Sequence, residues 1–302
     1  MRLLDTLAAH AIPYIPRAAI RKISRRYIAG DTLADAVTRV RVLNNLGFST
    51  TLDVLGKTVS TLAQADRMAD EYIDVLDAIQ ANGLSAGISI KPSALGLMLD
   101  AQQCERLVDR ILDSAGRHQT IVCIDMEDVT CTQKEIDLFR SVTARHGNVG
   151  LALQAYLRRT YEDIGPLLHE RNTLRICKGI HVEDRSHLVD GAWNDRRAIN
   201  THFLSHVSRC LETGTLVGIA THDTQLVDQI IALARDMGVD NTKFEFQMLL
   251  GVCEPLRDRL LGLGFNVRIY VPYGRDWYGY STRRLKENPA IAGHVLRALT
   301  GL

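Results

Sequence analysis

Eight short runs rich in apolar and β-branched residues recur along the chain, at 48–55, 87–90, 120–126, 149–156, 173–180, 216–221, 243–249 and 266–271. Longer amphipathic stretches separate them, at 60–82, 100–117, 132–146, 160–170, 195–213, 224–238 and 253–263, with a last one near 281–300. The short runs read as strands, and the periodicity between them is helical. A strand followed by a crossover helix pairs with the next strand in parallel. Eight such units close as a (β/α)8 barrel or spread as an open, doubly wound sheet, and the barrel is the expectation here. It would occupy residues 47–302, behind an N-terminal helical arm over 1–46. In that arm Pro13 and Pro16 break a first helix. A second opens at Asp31-Thr32-Leu33-Ala34-Asp35, carries the stripe Ala36, Val40, Leu43 and Leu46, and ends at Gly47.

Polar residues gather at the C-terminal ends of the expected strands. They are Asp53, Lys91, Asp125 with Glu127 and Asp128, Gln154, Arg175 with Lys178, Thr221-His222-Asp223, Gln247, and Arg268 with Tyr270. In a barrel these ends converge on one mouth, where active sites are built. The 36 basic and 35 acidic side chains leave a net charge of +1, which excludes a globally basic nucleic-acid binder. No stretch reaches the ~18–20 apolar residues of a membrane helix. Asp5 and the breaks at His10, Pro13, Pro16 and Arg17 argue against a secretory signal. The six cysteines form no C-x-x-C, and Cys123 and Cys177 lie inside strand-like runs as small hydrophobes. A reducing, cytoplasmic setting is expected.

Several common motifs are missing. Gly262-Leu263-Gly264 lacks a third glycine and leads into a strand, so it is no dinucleotide fingerprint. His202 and His206 have the spacing of a zinc pair, but Phe203 stands where a zincin needs Glu. An exposed helix face is expected there, and no metal site. Arg283-Arg284 follows the eighth strand, amid Tyr270, Tyr273, Trp277, Tyr278 and Tyr280. Two guanidinium forks with aromatic walls at a barrel mouth suit a small apolar acid; a solvated helix face is the alternative.

Taken in order, the strand motifs resemble those of the proline dehydrogenase family. They are Ser89-Ile90-Lys91-Pro92-Ser93 with Leu95-Gly96, Ile124-Asp125-Met126-Glu127, Leu153-Gln154-Ala155-Tyr156-Leu157, Arg175-Ile176-Cys177-Lys178-Gly179, Ala220-Thr221-His222, Phe244-Glu245-Phe246-Gln247 and Arg268-Ile269-Tyr270. The stretch from Tyr280 to Asn288 is similar to that family's last-helix signature. The resemblance implies a distorted barrel that holds FAD non-covalently without a Rossmann domain. It implies oxidation of L-proline to Δ1-pyrroline-5-carboxylate by hydride transfer to flavin N5, the first step of proline catabolism. It also implies a quinone or another acceptor for the electrons, with at most peripheral membrane contact and no nucleic acid. A dehydrogenase of hydroxyproline or pipecolate, or a biosynthetic homologue, is the alternative.

Residue by residue, the resemblance implies flavin contacts at Met126, Gln154, Arg175, Lys178, Gly179, Ile180, Thr221 and His222. Arg175 matches the arginine near N5, and Asp125 an active-site acid with an orienting role. Lys91, Arg283 and Arg284 match the residues that hold the substrate carboxylate, with Glu287 orienting the arginines. Leu249, Tyr270 and Tyr280 match the wall around the pyrrolidine ring, and Tyr270 would press against a ring hydroxyl. The chain departs from the family at two places. Lys57 stands where a Glu usually gates the first arginine, and His181 where a Tyr usually lines the pocket.

Overall fold

The structure, a computed structural model, describes residues 17–56 and 59–287, with 18, 19, 23 and 283–287 described by their backbone alone. Two helices, α1 (Arg17–Ser24) and α2 (Leu33–Asn45), precede the first strand. The strands are β1 (Ser49–Val54), β2 (Ala86–Ile90), β3 (Val122–Ile124), β4 (Val149–Gln154), β5 (Thr173–Cys177), β6 (Leu216–Ala220), β7 (Phe244–Leu249) and β8 (Val267–Tyr273). All pair in parallel in chain order, and β8 returns to β1 from Ser49 opposite Arg268 to Val54 opposite Tyr273. That closure selects the barrel over the doubly wound sheet.

Between the strands lie α3 (Leu62–Ala81), α4 (Ala101–Arg117), α5 (Val129–Thr143), α6 (Thr160–Asp163), α7 (Asn200–Glu212), α8 (Thr224–Asp236) and α9 (Glu254–Gly262), and α10 (Trp277–Glu287) follows β8. The helical run expected at 160–170 is cut to one turn of α6 and a 3-10 turn at Gly165–Leu167. Pro166 causes the cut, since it has no N–H to donate and its ring crowds the preceding turn. The last helix starts earlier than the pattern suggests, at Trp277, and the expected continuation beyond 287 lies outside the described residues. β3 and β5 also stop short of their apolar runs, at Ile124 and Cys177, where the chain leaves the ladder to build the mouth.

The α2 start reads from the sequence as it stands: Thr32 and Asp35 form a reciprocal capping box, worth about 1 kcal/mol. Its apolar stripe, Ala36, Val40 and Leu43, is buried, and α2 packs on β1 and β8. The Ala29 N–H donates to the Pro272 carbonyl at 2.9 Å, and the Gly274 N–H to the Gly30 carbonyl at 2.9 Å. The helix that follows β8, α10, packs instead on α1. Arg17 lies 4.5 Å over the Tyr278 ring and Arg21 5.2 Å over Trp277.

One expectation is corrected here. His206 does not lie on an exposed face but is fully buried, on the same side of α7 as Phe203, Val207 and Cys210. Its ring faces Tyr161 at 4.5 Å, and neither ring nitrogen is hydrogen-bonded. Burial, helped by Arg209 and His202, pushes its pKa down to about 4. A depressed histidine pKa gives stability that is present above the unfolded value and is lost as pH falls towards 4. His206→Phe should therefore flatten the stability profile between about pH 6.5 and 4. Urea midpoints at several pH values would check this, and an unchanged slope would show that the acid sensitivity arises elsewhere.

Candidate active site

Alternate strand residues point inward, and in this barrel many of them are polar. Arg175, on β5, is central. Its Nη1 donates to Asp125 Oδ1 at 2.7 Å and to Ser89 Oγ at 3.0 Å, and its Nε donates to Gln247 Oε1 at 2.6 Å. The other Asp125 oxygen accepts from the Tyr270 hydroxyl at 2.7 Å. The Lys91 ammonium lies 3.7 Å from that same oxygen and forms its close ion pair with Asp53, which is 2% exposed. Two cations thus face two carboxylates, so the buried charge is balanced.

The protonation states follow from these contacts. Burial alone would depress the Lys91 ammonium, but Asp53 and Asp125 outweigh it and hold its pKa above the ordinary lysine value. Burial and the neighbouring Asp125 and Asp53 carboxylates raise the Tyr270 phenol, which stays protonated and donates to Asp125. The Arg175 guanidinium also sits 5.5 Å over the Tyr270 ring.

A second group of residues lines the β4, β5 and β6 side of the mouth. Gln154 donates from Nε2 to the Glu127 carbonyl at 2.8 Å, while its Oε1 is buried with no hydrogen-bond partner. Lys178 and Asn200 donate to Asp223 Oδ2 at 2.8 and 3.0 Å. Burial opposes ionisation of Asp223, yet these bonds bring its pKa down to about 2. Asp223 also caps α8 through the Leu226 N–H, and its own N–H donates to the Thr221 hydroxyl at 3.2 Å. His222 Nε2 accepts from the Leu249 N–H at 2.9 Å, which places the proton of the neutral ring on Nδ1.

Gly179 turns the chain here with φ +97°, and a Cβ on it would fall 2.3 Å from the Tyr156 ring. Its carbonyl accepts from Arg196 Nη2 at 2.7 Å. Met126 is buried beside this region, Ile180 is exposed, and the His181 carbonyl accepts from the Tyr156 hydroxyl at 3.2 Å. Beneath the β3 loop, the buried Glu135 accepts the Glu127 N–H at 3.1 Å. Burial, with Glu127 nearby, pushes its pKa up to about 9, so it is neutral near pH 7.

The structure therefore gathers Lys91, Asp125, Arg175 and Tyr270 in one network, and places Gln154 at the end of β4 and Met126, Lys178, Gly179, Ile180, Thr221 and His222 on the loops that follow β3, β5 and β6. Leu249 ends β7 half-buried. Tyr280 packs with Tyr27, Ile28 and Leu55. Lys57 lies outside the described residues, and Arg283, Arg284 and Glu287 have only their backbone on α10 described. Asn200 and Glu135 are not singled out by the sequence, which places Asp53 at the mouth but gives it no role. Glu135 does carry a signal: Thr132, Glu135, Phe139 and Val142 form one buried helical stripe.

A parallel eight-stranded barrel with paired charges converging at the C-terminal ends of its strands is the architecture of the barrel enzymes. Within that class, a family model for proline dehydrogenase matches residues 36–297. The chain is 34% identical to Proline dehydrogenase 2 of Bacillus subtilis over 280 residues, 93% of this chain and 91% of that one. It is 31% identical to Proline dehydrogenase of Deinococcus radiodurans over 294 residues, 95% and 93% of the two chains. The chain belongs to the proline dehydrogenase family. Among solved structures, it is similar in fold to proline utilization A from Bdellovibrio bacteriovorus inactivated by N-propargylglycine. The TM-score is 0.82 at 17% identity, covering 89% of this chain and 33% of that one.

Proposed function

We propose that this protein is an FAD-dependent dehydrogenase that oxidises L-proline to Δ1-pyrroline-5-carboxylate. The observation that carries this reading is the Lys91–Asp125–Arg175–Tyr270 network at the mouth of a proline dehydrogenase barrel. The residues present fit FAD. Gln154 Oε1 is a buried acceptor that lacks a donor, of the kind a flavin imide N–H supplies. The glycine at 179 lets backbone turn tightly beside Tyr156, and Lys178 and Arg196 add positive charge next to it. Met126, Gln154, Arg175, Lys178, Gly179, Ile180, Thr221 and His222 would hold the cofactor, which when bound supplies the hydride acceptor.

The chain's own residues bind and orient. Lys91, together with Arg283 and Arg284, takes the substrate carboxylate. Asp53 holds the Lys91 ammonium from behind, and Asp125 anchors Arg175 and Tyr270. The Tyr270 ring closes one side of the pocket and opposes a ring hydroxyl, which favours proline over hydroxyproline. Arg175 would set a permanent positive charge beside the bound cofactor, which favours its acceptance of electrons. Among the described residues no helix is long and apolar enough to cross a membrane. We place the protein in the cytoplasm, with a quinone or another acceptor taking the electrons and at most peripheral membrane contact.

The test is the purified protein itself. It should be yellow, acid precipitation should free the flavin, and proline added without oxygen should bleach it. Absence of flavin after incubation with FAD, or a flavin that proline does not reduce, overturns the reading. Gly179→Ala should lose flavin, because the new Cβ would meet the Tyr156 ring in a left-handed backbone. Overpacking of this kind costs about 1–3 kcal/mol. Flavin content and thermal midpoint of that variant would check it.

A further inference from the structure

Below Arg175 the barrel interior holds a further charged layer that the proposed chemistry does not use. Glu245 and Gln247 are alternate residues of β7 and share a face. Glu245 Oε1 accepts from Arg268 Nε at 2.6 Å and from Gln247 Nε2 at 2.7 Å. Gln247 Oε1 in turn accepts from Arg175 Nε at 2.6 Å. Arg268 is fixed below by a bond from Nη1 to the Thr50 carbonyl at 2.8 Å. On β6, Gly218 leaves room for the Gln247 amide; a Cβ there would fall 2.4 Å from Nε2. Beneath this layer a cavity of about 170 Å³, lined in part by Glu245, Gln247, Arg268, Thr51 and Cys123, lies towards the N-terminal ends of the strands.

A glutamine amide has a donating end and an accepting end, and Arg175 Nε can only donate. The Gln247 oxygen must therefore face Arg175, which leaves its NH2 needing an acceptor below. An ionised carboxylate accepts at every lone pair, so Glu245 meets that need and also neutralises Arg268. We propose that Glu245 is a positioning residue. Through Arg268 below it and Gln247 above it, it fixes the amide orientation that holds the Arg175 guanidinium in place. This rests on the reading that Arg175 acts at the cofactor.

Both bonds to Glu245 end on Oε1, so Glu245→Gln can keep them, with its amide oxygen in that place and its NH2 where Oε2 stands. Glu245→Leu removes the acceptor altogether. Arg268 Nε and the NH2 of Gln247 then lose their common partner, and nothing below Gln247 sets the orientation of its amide. A rotated amide would turn an NH2 on Arg175 Nε.

The experiment compares parent, E245L and E245Q by two measurements on the purified protein. The first is the hydrogen-exchange rate of the Arg175 Nε–H by 15N NMR, assigned from its loss in Arg175→Lys. The second is the stopped-flow rate of flavin reduction by proline. Misplacement of an active-site group by about 1 Å costs on the order of 100-fold. E245L should show at least about tenfold faster Nε–H exchange, and flavin reduction should slow by about 10- to 100-fold with little change in the proline concentration for half-saturation. E245Q, which keeps the acceptor, should stay close to the parent in both. Parental behaviour of E245L overturns the proposal, and so does an equal defect in E245Q. If proline fails to reduce the parent flavin, the functional reading falls while the exchange comparison still decides the positioning. If E245L does not fold, Gly218→Ala displaces the Gln247 amide without changing any charge; faster Arg175 exchange supports the proposal and parental exchange overturns it.

Discussion

Replacing Lys91 by Met should destabilise the protein by about 3–5 kcal/mol, the usual cost of removing one partner of a buried ion pair. Asp53 is 2% exposed and would be left with Asp125 as its nearest charge and no cation of its own. The cost arises from that stranded carboxylate rather than from the lysine, so a second change should recover it. Lys91→Met with Asp53→Leu should return close to parental stability, since replacing a buried pair by apolar groups is often neutral. Proline oxidation should stay low in both variants, because both lack the ammonium proposed to take the substrate carboxylate. Urea unfolding with a parallel flavin-reduction assay checks both halves. Full stability in the single variant would show that Asp53 is solvated or neutral.

Arg283→Met and Arg284→Met should each weaken proline use mainly through KM. Loss of one charged partner from a desolvated carboxylate contact costs about 2–5 kcal/mol. That corresponds to a fall of roughly 30-fold or more in kcat/KM. Neither arginine is assigned to the cofactor, so flavin content should match the parent. Steady-state kinetics with proline decide the matter, and parental kcat/KM in both variants would place the substrate carboxylate on other groups.

The barrel is legible because each strand is a short β-branched run and each helix an amphipathic one, eight times over. The interruption of 160–170 is written in Gly165-Pro166, a pair that cannot continue a helix. His206 is misplaced by attention to its polarity, although Phe203, Val207 and Cys210 put its position on the buried face. The Lys91–Asp53 pair is hidden for a different reason. Both residues stand at strand ends, but their meeting depends on the β1–β2 register, in which Asp53 pairs with Ser89. Local sequence does not state a register between strands so far apart in the chain. The Glu245–Gln247–Arg175 ordering is likewise a matter of which lone pair meets which proton. No residue pattern specifies that before the barrel closes.

The position of α2 bears on how the chain is made. A ribosome delivers Leu33–Asn45 before any strand of the barrel and Val267–Tyr273 after the other seven, yet α2 finds its seat only where β8 meets β1. Until then its stripe of Ala36, Val40 and Leu43 has half of its seat missing. Nascent intermediates of this protein would thus carry a partly uncovered apolar helix while the intervening seven strands are made. Such surface invites chaperones and self-association. Slowing translation should lengthen that interval without changing the finished fold.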